Sequence, residues 1–542
     1  MNKSDISTII LFAVLATASI GLESCGWQPQ ITNTKMQITN MKIGVGTVNH
    51  MELANGIAQT PLSYTIWTSG GTTYAKNART GGVSSGADAA TVIQAAITAL
   101  TNGGKIHLKN GTYTLSTQLT DRGNDNITVE GEGWNTLINV AAGFWDHAIY
   151  IRARRSNWVL TNFRVDGANI AIANGTHNNI YILGSNTLLF NVYSVNCGDH
   201  GGFDVGGSYN RIVSCYAYNN HDDGFIIRGS YIVVDGCVSD TTAVNNNYSL
   251  VTTDHVILNG NLASYANSYG IALENLGGGA CQMILVANNQ IRAVRKSGIK
   301  IYASSGGVES ADDVLISNNQ ISLVTQYGIY VDSTKRITIK ENIIQCQKVT
   351  WRGIYVGGSG PLDEVEIIGN TVNLPAANGI MVDFSSTGAP GTTKVDENTI
   401  FASENRSSDA ITINKARSFT CSNNRILGSG ALATNKFNIG ILIRNTCVGG
   451  TCVGNSITGG SNFGIRLYDG PTDVVVANNY IEEVTVGIAE GQVATTPDYN
   501  LITNNDLRTH VTTKVAILGT HTIVRGNIGY LTEKERWHEQ VD

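Results

Sequence analysis

Charge, proline and aromatic side chains are all scarce in this chain. Of its 542 residues only seven are proline, 14% are charged and 7% are aromatic. Low charge beside a hydrophobic share of 42% excludes a charge-swollen disordered polymer and leaves ample material for a core. A net charge of −6 provides no basic footprint, which argues against a nucleic-acid partner. The nine cysteines include no Cys-x-x-Cys pair and no Cys/His set at zinc spacing. Cys215 and Cys237, like Cys421 and Cys452, occupy apolar slots of neighbouring repeats. They read as small buried hydrophobes, with a Cys421–Cys452 disulfide as the alternative after export.

Sixty glycines and an abundance of Asn, Ser and Thr suggest many short strands joined by tight turns. Residues 1–24 read as a signal peptide or an uncleaved anchor: Lys3 precedes the apolar run from Ile9 to Ala16, which ends in small residues. The run is short for a membrane span, so the expected location is secreted or cell-surface, with membrane contact only if this segment is retained. Residues 25–63 read as a linker or extension, and 64–530 as one domain. Within it, Tyr64–Tyr74 forms a hairpin turning at Gly70-Gly71. Residues 88–100 have helical apolar spacing at Val92, Ile93, Ala96, Ile97 and Leu100, with Asp88 as N-cap. A lone amphipathic helix ahead of a long β stretch suits a cap over the open end of a solenoid. The charged stretch 531–542 reads as a C-terminal tail.

From about Asn126 onward the chain repeats with a period of roughly 22 to 31 residues. VLISNNQISLVTQYGIYV, ITIKENIIQCQKVTWRGIYV and VVVANNYIEEVTVGIAE are three of the units. One slot holds Asn289, Asn319, Asn342, Asn370, Asn398, Asn424, Asn455, Asn479 and Asn505. Another holds a Gly-Ile pair, with glycines at 270, 298, 328, 353, 379, 440, 464 and 487. The period is too short for a propeller blade and lacks the leucine spacing of a horseshoe. It fits an all-β fold, a single-stranded right-handed parallel β-helix with an N-terminal capping helix. Stacking then turns the Asn slot into a ladder of amides, and Asn suits the left-handed turn that the bend requires.

The repeats can be aligned on the apolar residue after the recurring glycine: Ile149, Ile180, Phe203, Phe225, Leu250, Ile271, Ile299, Ile329 and Ile354. Three positions earlier the column runs Asp146, His177, His200, Asp222, Asn247, Ser268, Lys296, Gln326, Trp351. At one coil per ~4.8 Å, His177, His200 and Asp222 become vertical neighbours. Asp199 and Asp204 fall beside them, and Asp223 follows Asp222. Adjacent carboxylates cannot both ionise cheaply, so one can serve as an acid. His beside Asp can move protons near neutral pH. The outward positions after the anchor add Tyr150, Tyr181, Lys300 and Tyr330, and slightly further on Arg152, Arg228 and Glu274. Aromatic faces flanking a charged cluster suit a sugar chain. The structural alternatives are a self-solvating polar ladder and a bound Ca²⁺, held through the oxygens of Asp199, Asp204, Asp222 and Asp223.

Phe203-Asp204-Val205-Gly206 and Asn220-His221-Asp222-Asp223-Gly224 resemble the FDVG and NQDD elements of polygalacturonases. The helix followed by coils is similar to the wider pectate-lyase superfamily, which implies a right-handed β-helix acting on polysaccharide. Three residues match family acids, Asp204, Asp222 and Asp223, which the resemblance implies protonate the leaving oxygen and activate water. The family's first Asp falls here on Gly201, its Gly-His-Gly coil is absent, and its Arg-Ile-Lys element is echoed by Gly298-Ile299-Lys300. The expected function is cleavage of a uronate-containing polysaccharide by paired Asp, with no cofactor required. In it Arg152, Arg228, Lys296 and Lys300 meet sugar carboxylates. A lyase or epimerase using His200, His177 or Lys296 as base is the alternative, and a non-catalytic surface or virion spike is a further one.

Overall fold

The computed structural model describes residues 61–529, apart from 169–176, 277–278, 304–308, 347–351, 359–361, 374–376, 385–390, 403–407, 429–436, 460–461 and 508–509. Residues 1–24, expected as a signal peptide or anchor, nearly all of the 25–63 extension, the tail and Trp351 lie outside the described residues.

The Gly-Ile slots and Asn slots are the two corners of a coil. Strands through the Gly-Ile slots stack in a sixteen-stranded parallel sheet, one strand per coil, from Leu119–Thr120 to Val511–Ala516. The rest of the coil runs in a 33-stranded sheet, in most coils as two strands, as Asp254–Asn259 and Leu262–Ala266 do, and in two coils as one long strand, Val159–Asp166 and Leu188–Val195. Three strands per coil is the expected winding. Inward positions such as Ile271, Ile299, Ile329 and Ile354 are fully buried and pair rung on rung, so one apolar column fills the lumen.

The Asn ladder is longer than its sequence signature, running from Asn261 to Asn527. In each rung an Oδ1 accepts from both the backbone N–H and the Nδ2 of the preceding coil's Asn, as Asn370 does from Asn342 at 3.0 and 2.9 Å. The Nδ2 also donates to carbonyls of earlier strands, as Asn370 does to Ile339 at 2.9 Å. The left-handed residue is not the ladder Asn but the one before it: Asn288, Asn318, Glu341, Gly369 and Glu397 have φ from 56 to 64°. This corrects the expected role. The ladder Asn supplies the hydrogen bonds of the bend, and its neighbour supplies the turn.

The recurring glycine is needed for room. A Cβ on Gly328 would sit 2.4 Å from Ile344 Cγ2 and 2.6 Å from the Gly353 carbonyl oxygen. The coil backbone passes directly under its neighbour's side chain.

The N-terminal end is closed as expected. Leu62–Ser69 pairs antiparallel with Thr72–Asn77 around Gly70 and Gly71, both left-handed as a tight two-residue turn requires. Helix α1, Ala89–Ala99, is capped by Asp88, which accepts from the Ala90 and Thr91 N–H groups. Its apolar stripe of Val92, Ile93, Ala96 and Ile97 is buried. Gln94 bonds both backbone groups of Thr120, and Asn124 Nδ2 donates to the Ile97 carbonyl, fixing the helix to the first coil.

The eight described cysteines are buried free thiols. Cys421 and Cys452 are register partners on adjacent rungs, but no disulfide joins them, so the bland reading of these slots holds.

One anchor of the sequence alignment is corrected. Tyr248, not Leu250, pairs with both Phe225 and Ile271. The three rings Phe203, Phe225 and Tyr248 stack at 4.7 and 5.0 Å inside the lumen.

Replacing Asn370 with Ala leaves the buried Asn342 N–H without its acceptor and should cost about 2–4 kcal/mol. The checking measurement is the midpoint of chemical unfolding, with Thr371→Ala on the neighbouring, more exposed position shifting it by less than half as much.

Candidate active site

The stacking of coils places Asp204, Asp222, Asp223, His177, His200 and Asp199 together on one edge of the sixteen-stranded sheet. The backbone shows the register directly: Asp222 N–H donates to the His200 carbonyl at 3.0 Å, and Gly202 N–H to the Asp223 carbonyl at 3.0 Å. His200 is the exposed link. Its Nδ1 lies 2.9 Å from Asn178 Oδ1 and its Nε2 3.8 Å from Asp222 Oδ2. His177 is buried beneath and faces Asp199, with Nδ1 to Oδ2 at 3.3 Å. Burial outweighs that partner and lowers the ring's pKa.

The two adjacent acids have opposite surroundings. The Asp222 side chain is 24% exposed beside His200. Asp223 is buried, and its Oδ1 accepts from the Asn246 N–H at 2.9 Å and the Ser249 hydroxyl at 2.8 Å. Burial, with the Asp222 charge next, pushes the Asp223 carboxyl well above the ordinary range, and the two donors pull it back in part. Glu274 is buried too, accepting from Asn246 Nδ2 at 3.0 Å and from Tyr302, and burial raises its pKa. Asp204 sits on the outward face, yet it is buried beneath Arg228, whose Nε donates to both its oxygens at 3.2 Å. Desolvation raises Asp204 despite that arginine.

Aromatic side chains bound this acid cluster on both sides. Tyr150 and Tyr181 stack at 5.2 Å on the N-terminal side. On the other, Lys300 Nζ donates to Tyr269 Oη at 2.8 Å and lies within 5.5 Å of the Tyr269, Tyr302 and Tyr330 ring centroids. Lys296 lies 5.4 Å from the Tyr269 ring, and Tyr330 stacks on Tyr355 at 5.3 Å. Between the two aromatic groups the outward row runs Asp204, Ile226, Ser249 and Ala272. From Tyr181 to Tyr330 is six rungs, roughly 29 Å at ~4.8 Å per rung.

Two expected members are occupied differently. Arg152 is committed to the buried carboxylate of Asp121 through its backbone N–H and its guanidinium, at 2.8–3.3 Å. The four carboxylates considered for Ca²⁺ face different partners: Asp199 meets His177, Asp204 meets Arg228, Asp222 meets His200 and Asp223 meets Ser249. Among the described residues no three His, Cys, Asp or Glu side chains converge as a metal site.

Other members were not singled out from sequence. His147 packs against Tyr181 at 4.5 Å, and its Nδ1 accepts the Asn178 N–H at 2.9 Å. Burial lowers its pKa to about 4, so the ring is neutral and its proton resides on Nε2. His147 and Asn178 stand two positions before the anchors Ile149 and Ile180, next to the column of His177 and His200, which was the available signal. Asn246 and Ser249 were hidden by the Leu250 alignment.

A family model for the right handed beta helix region matches residues 305–400 and 352–528. The chain is a right-handed parallel β-helix. The pre-mature gene product 12 of bacteriophage phi29 shares this fold with a TM-score of 0.51 at 14% identity, over 81% of this chain and 72% of that one. The A-module of the Azotobacter vinelandii mannuronan C-5 epimerase AlgE4 aligns with a TM-score of 0.39 at 15% identity, over 80% and 96%. The catalytic unit of a Streptomyces thermodiastaticus GH87 α-1,3-glucanase aligns at 0.36 and 14%, over 80% and 67%. No curated protein sequence matches the chain.

A carboxyl whose folded pKa exceeds its unfolded value of 3.8 supports the fold in acid and loses that support as pH rises toward the folded value. Asp223→Asn keeps an Oδ1 acceptor for Ser249 and Asn246 and cannot ionise. It should therefore melt near wild type at pH 4 and above wild type at pH 7, a crossover that thermal melts across that range will read.

Proposed function

We propose that this β-helix is an exported enzyme that cleaves a uronate-containing polysaccharide by hydrolysis. The observation carrying the proposal is the split between neighbouring acids, with Asp223 buried, which favours its protonated form, and Asp222 open to solvent beside His200. Glycosidic hydrolysis needs one carboxyl that retains its proton and one group that handles water or attacks the sugar. In this reading Asp223 supplies the proton, and Asp222, supported by His200, directs the water. Asp204 holds Arg228 in place, and Asn178 joins His200 to Asp204 through its two amide ends.

The substrate class follows from the flanks. Sugar rings present apolar faces that lie flat on Tyr150, Tyr181 and Tyr330, while their rims meet polar groups. Lys296 and Lys300 stand against tyrosines without a carboxylate partner among the described residues, which favours a ligand carrying its own carboxylates. The aromatic groups lie along the solenoid axis, so a linear glycan would run across successive rungs. Export is the location consistent with a polymer that cannot enter a cell.

A panel of uronate-containing and neutral polysaccharides, assayed with wild type, Asp222→Asn and Asp223→Asn, tests this. Wild type should generate new reducing ends from a uronate polymer without an ultraviolet-absorbing product. Each variant should lower kcat by between about a hundredfold and ten-thousandfold. An unsaturated product would instead assign β-elimination with His200 as base. Binding without turnover by all three proteins would make the chain a glycan-binding spike or adhesin.

A further inference from the structure

Beyond Tyr355 the outer face of the same sheet carries a second polar group that the cluster around Asp223 does not use. Thr412, Leu442 and Arg466 are successive outward residues in register, so Arg466 lies two rungs past Thr412. Its guanidinium carbon is 4.5 Å from the Phe463 ring and 4.2 Å from the Tyr468 ring. Its Nε is buried with no hydrogen-bond partner, and no ion pair reaches Arg466 among the described residues. Arg444 pairs in register with Tyr468. On the adjoining coils Asp409 accepts from Thr412 Oγ1 at 3.3 Å, and Thr412 accepts from Asn378 Nδ2 at 3.0 Å.

A guanidinium seated against two rings and left without a counterion is half of a recognition site. It is planar, weakly hydrated and able to bind a carboxylate through two parallel N–H groups. Asp409 makes no ion pair with Arg466: it is bonded to Thr412, and burial outweighs Thr412 and both arginines and lifts its pKa to about 6. A hydroxyl-bearing ring with its own carboxylate satisfies all three elements, as anion for Arg466, apolar face for Tyr468 and hydroxyl partner for Asp409.

We propose that Arg466, Arg444 and Asp409 form a second, distal binding site for one uronate unit of an acidic polysaccharide. The inference rests on the acidic-glycan reading above and adds a site to it. Nine register pairings separate the Asp223 coil from that of Arg466, roughly 43 Å at ~4.8 Å per rung. A short oligomer reaches one site at a time. A long chain bridges both, and the second contact is then made at high effective concentration.

The test is titration calorimetry on the full chain with oligogalacturonate and oligomannuronate, each short and long, and with their carboxyl-reduced neutral forms. Proteins are wild type, Arg466→Ala and Arg466→Lys, with melting curves to establish folding. Arg466→Ala should weaken binding of the long acidic oligomers roughly tenfold and leave the reduced forms unchanged. Arg466→Lys, which keeps the charge but loses the planar fork, should fall between. Unchanged affinity for long acidic chains in folded Arg466→Ala would overturn the proposal, as would equal losses for acidic and reduced forms or no uronate binding by wild type. Arg466-dependent uronate binding without any turnover would leave the distal site standing and remove the catalytic reading. Turnover with Arg466-independent binding would do the reverse.

Discussion

Every feature of this molecule depends on one coil lying directly upon the next. The Asn ladder enforces that superposition, because each buried amide accepts from two donors of the preceding coil and donates to carbonyls of the walls. Slipping a coil by one residue would leave several buried donors without acceptors and turn the apolar column outward. Insertions are therefore confined to the connecting loops, and coil lengths vary while the corners stay aligned. Residues far apart in sequence, such as His177, His200 and Asp222, come together only because of this constraint.

The same stacking explains how ordinary residues become unusual. On the outer face of the sixteen-stranded sheet the small side chains of Ser249 and Ala272 are buried, and the acids Asp204, Asp223 and Glu274 near them are withdrawn from water. Asp223 and Asp222 are adjacent in the chain, but only one keeps contact with solvent. A turn between two strands thus separates two identical carboxyl groups chemically. Burial makes the difference, working against two hydrogen-bond donors that favour the ionised form.

The winding was legible in the sequence because its two markers, Asn and Gly-Ile, have strict structural reasons. The amide must bridge coils, and the glycine lies under an isoleucine with no space for a Cβ. The grouping of the acids and histidines was legible for the same reason. The error at Leu250 has an equally simple cause. Side chains alternate with period two, so a shift of two residues preserves the inward and outward pattern and gives no sign of misalignment. That shift concealed Ser249 and Asn246, the two groups that cradle Asp223. Arg152 was misleading in another way: its partner Asp121 comes from the preceding coil, outside the aligned repeats. The distal Arg466 was not singled out because its significance lies in the absence of a partner.

The ladder also has a direction. From Asn289 to Asn527 every ladder amide oxygen points toward the N-terminal cap, accepting from the Asn of the preceding coil. Their dipoles add along the rod axis with the negative pole at the capped end, opposite in sense to an α-helix whose N-terminus is positive. The coil stack is thus electrically polar even where its surface charges balance.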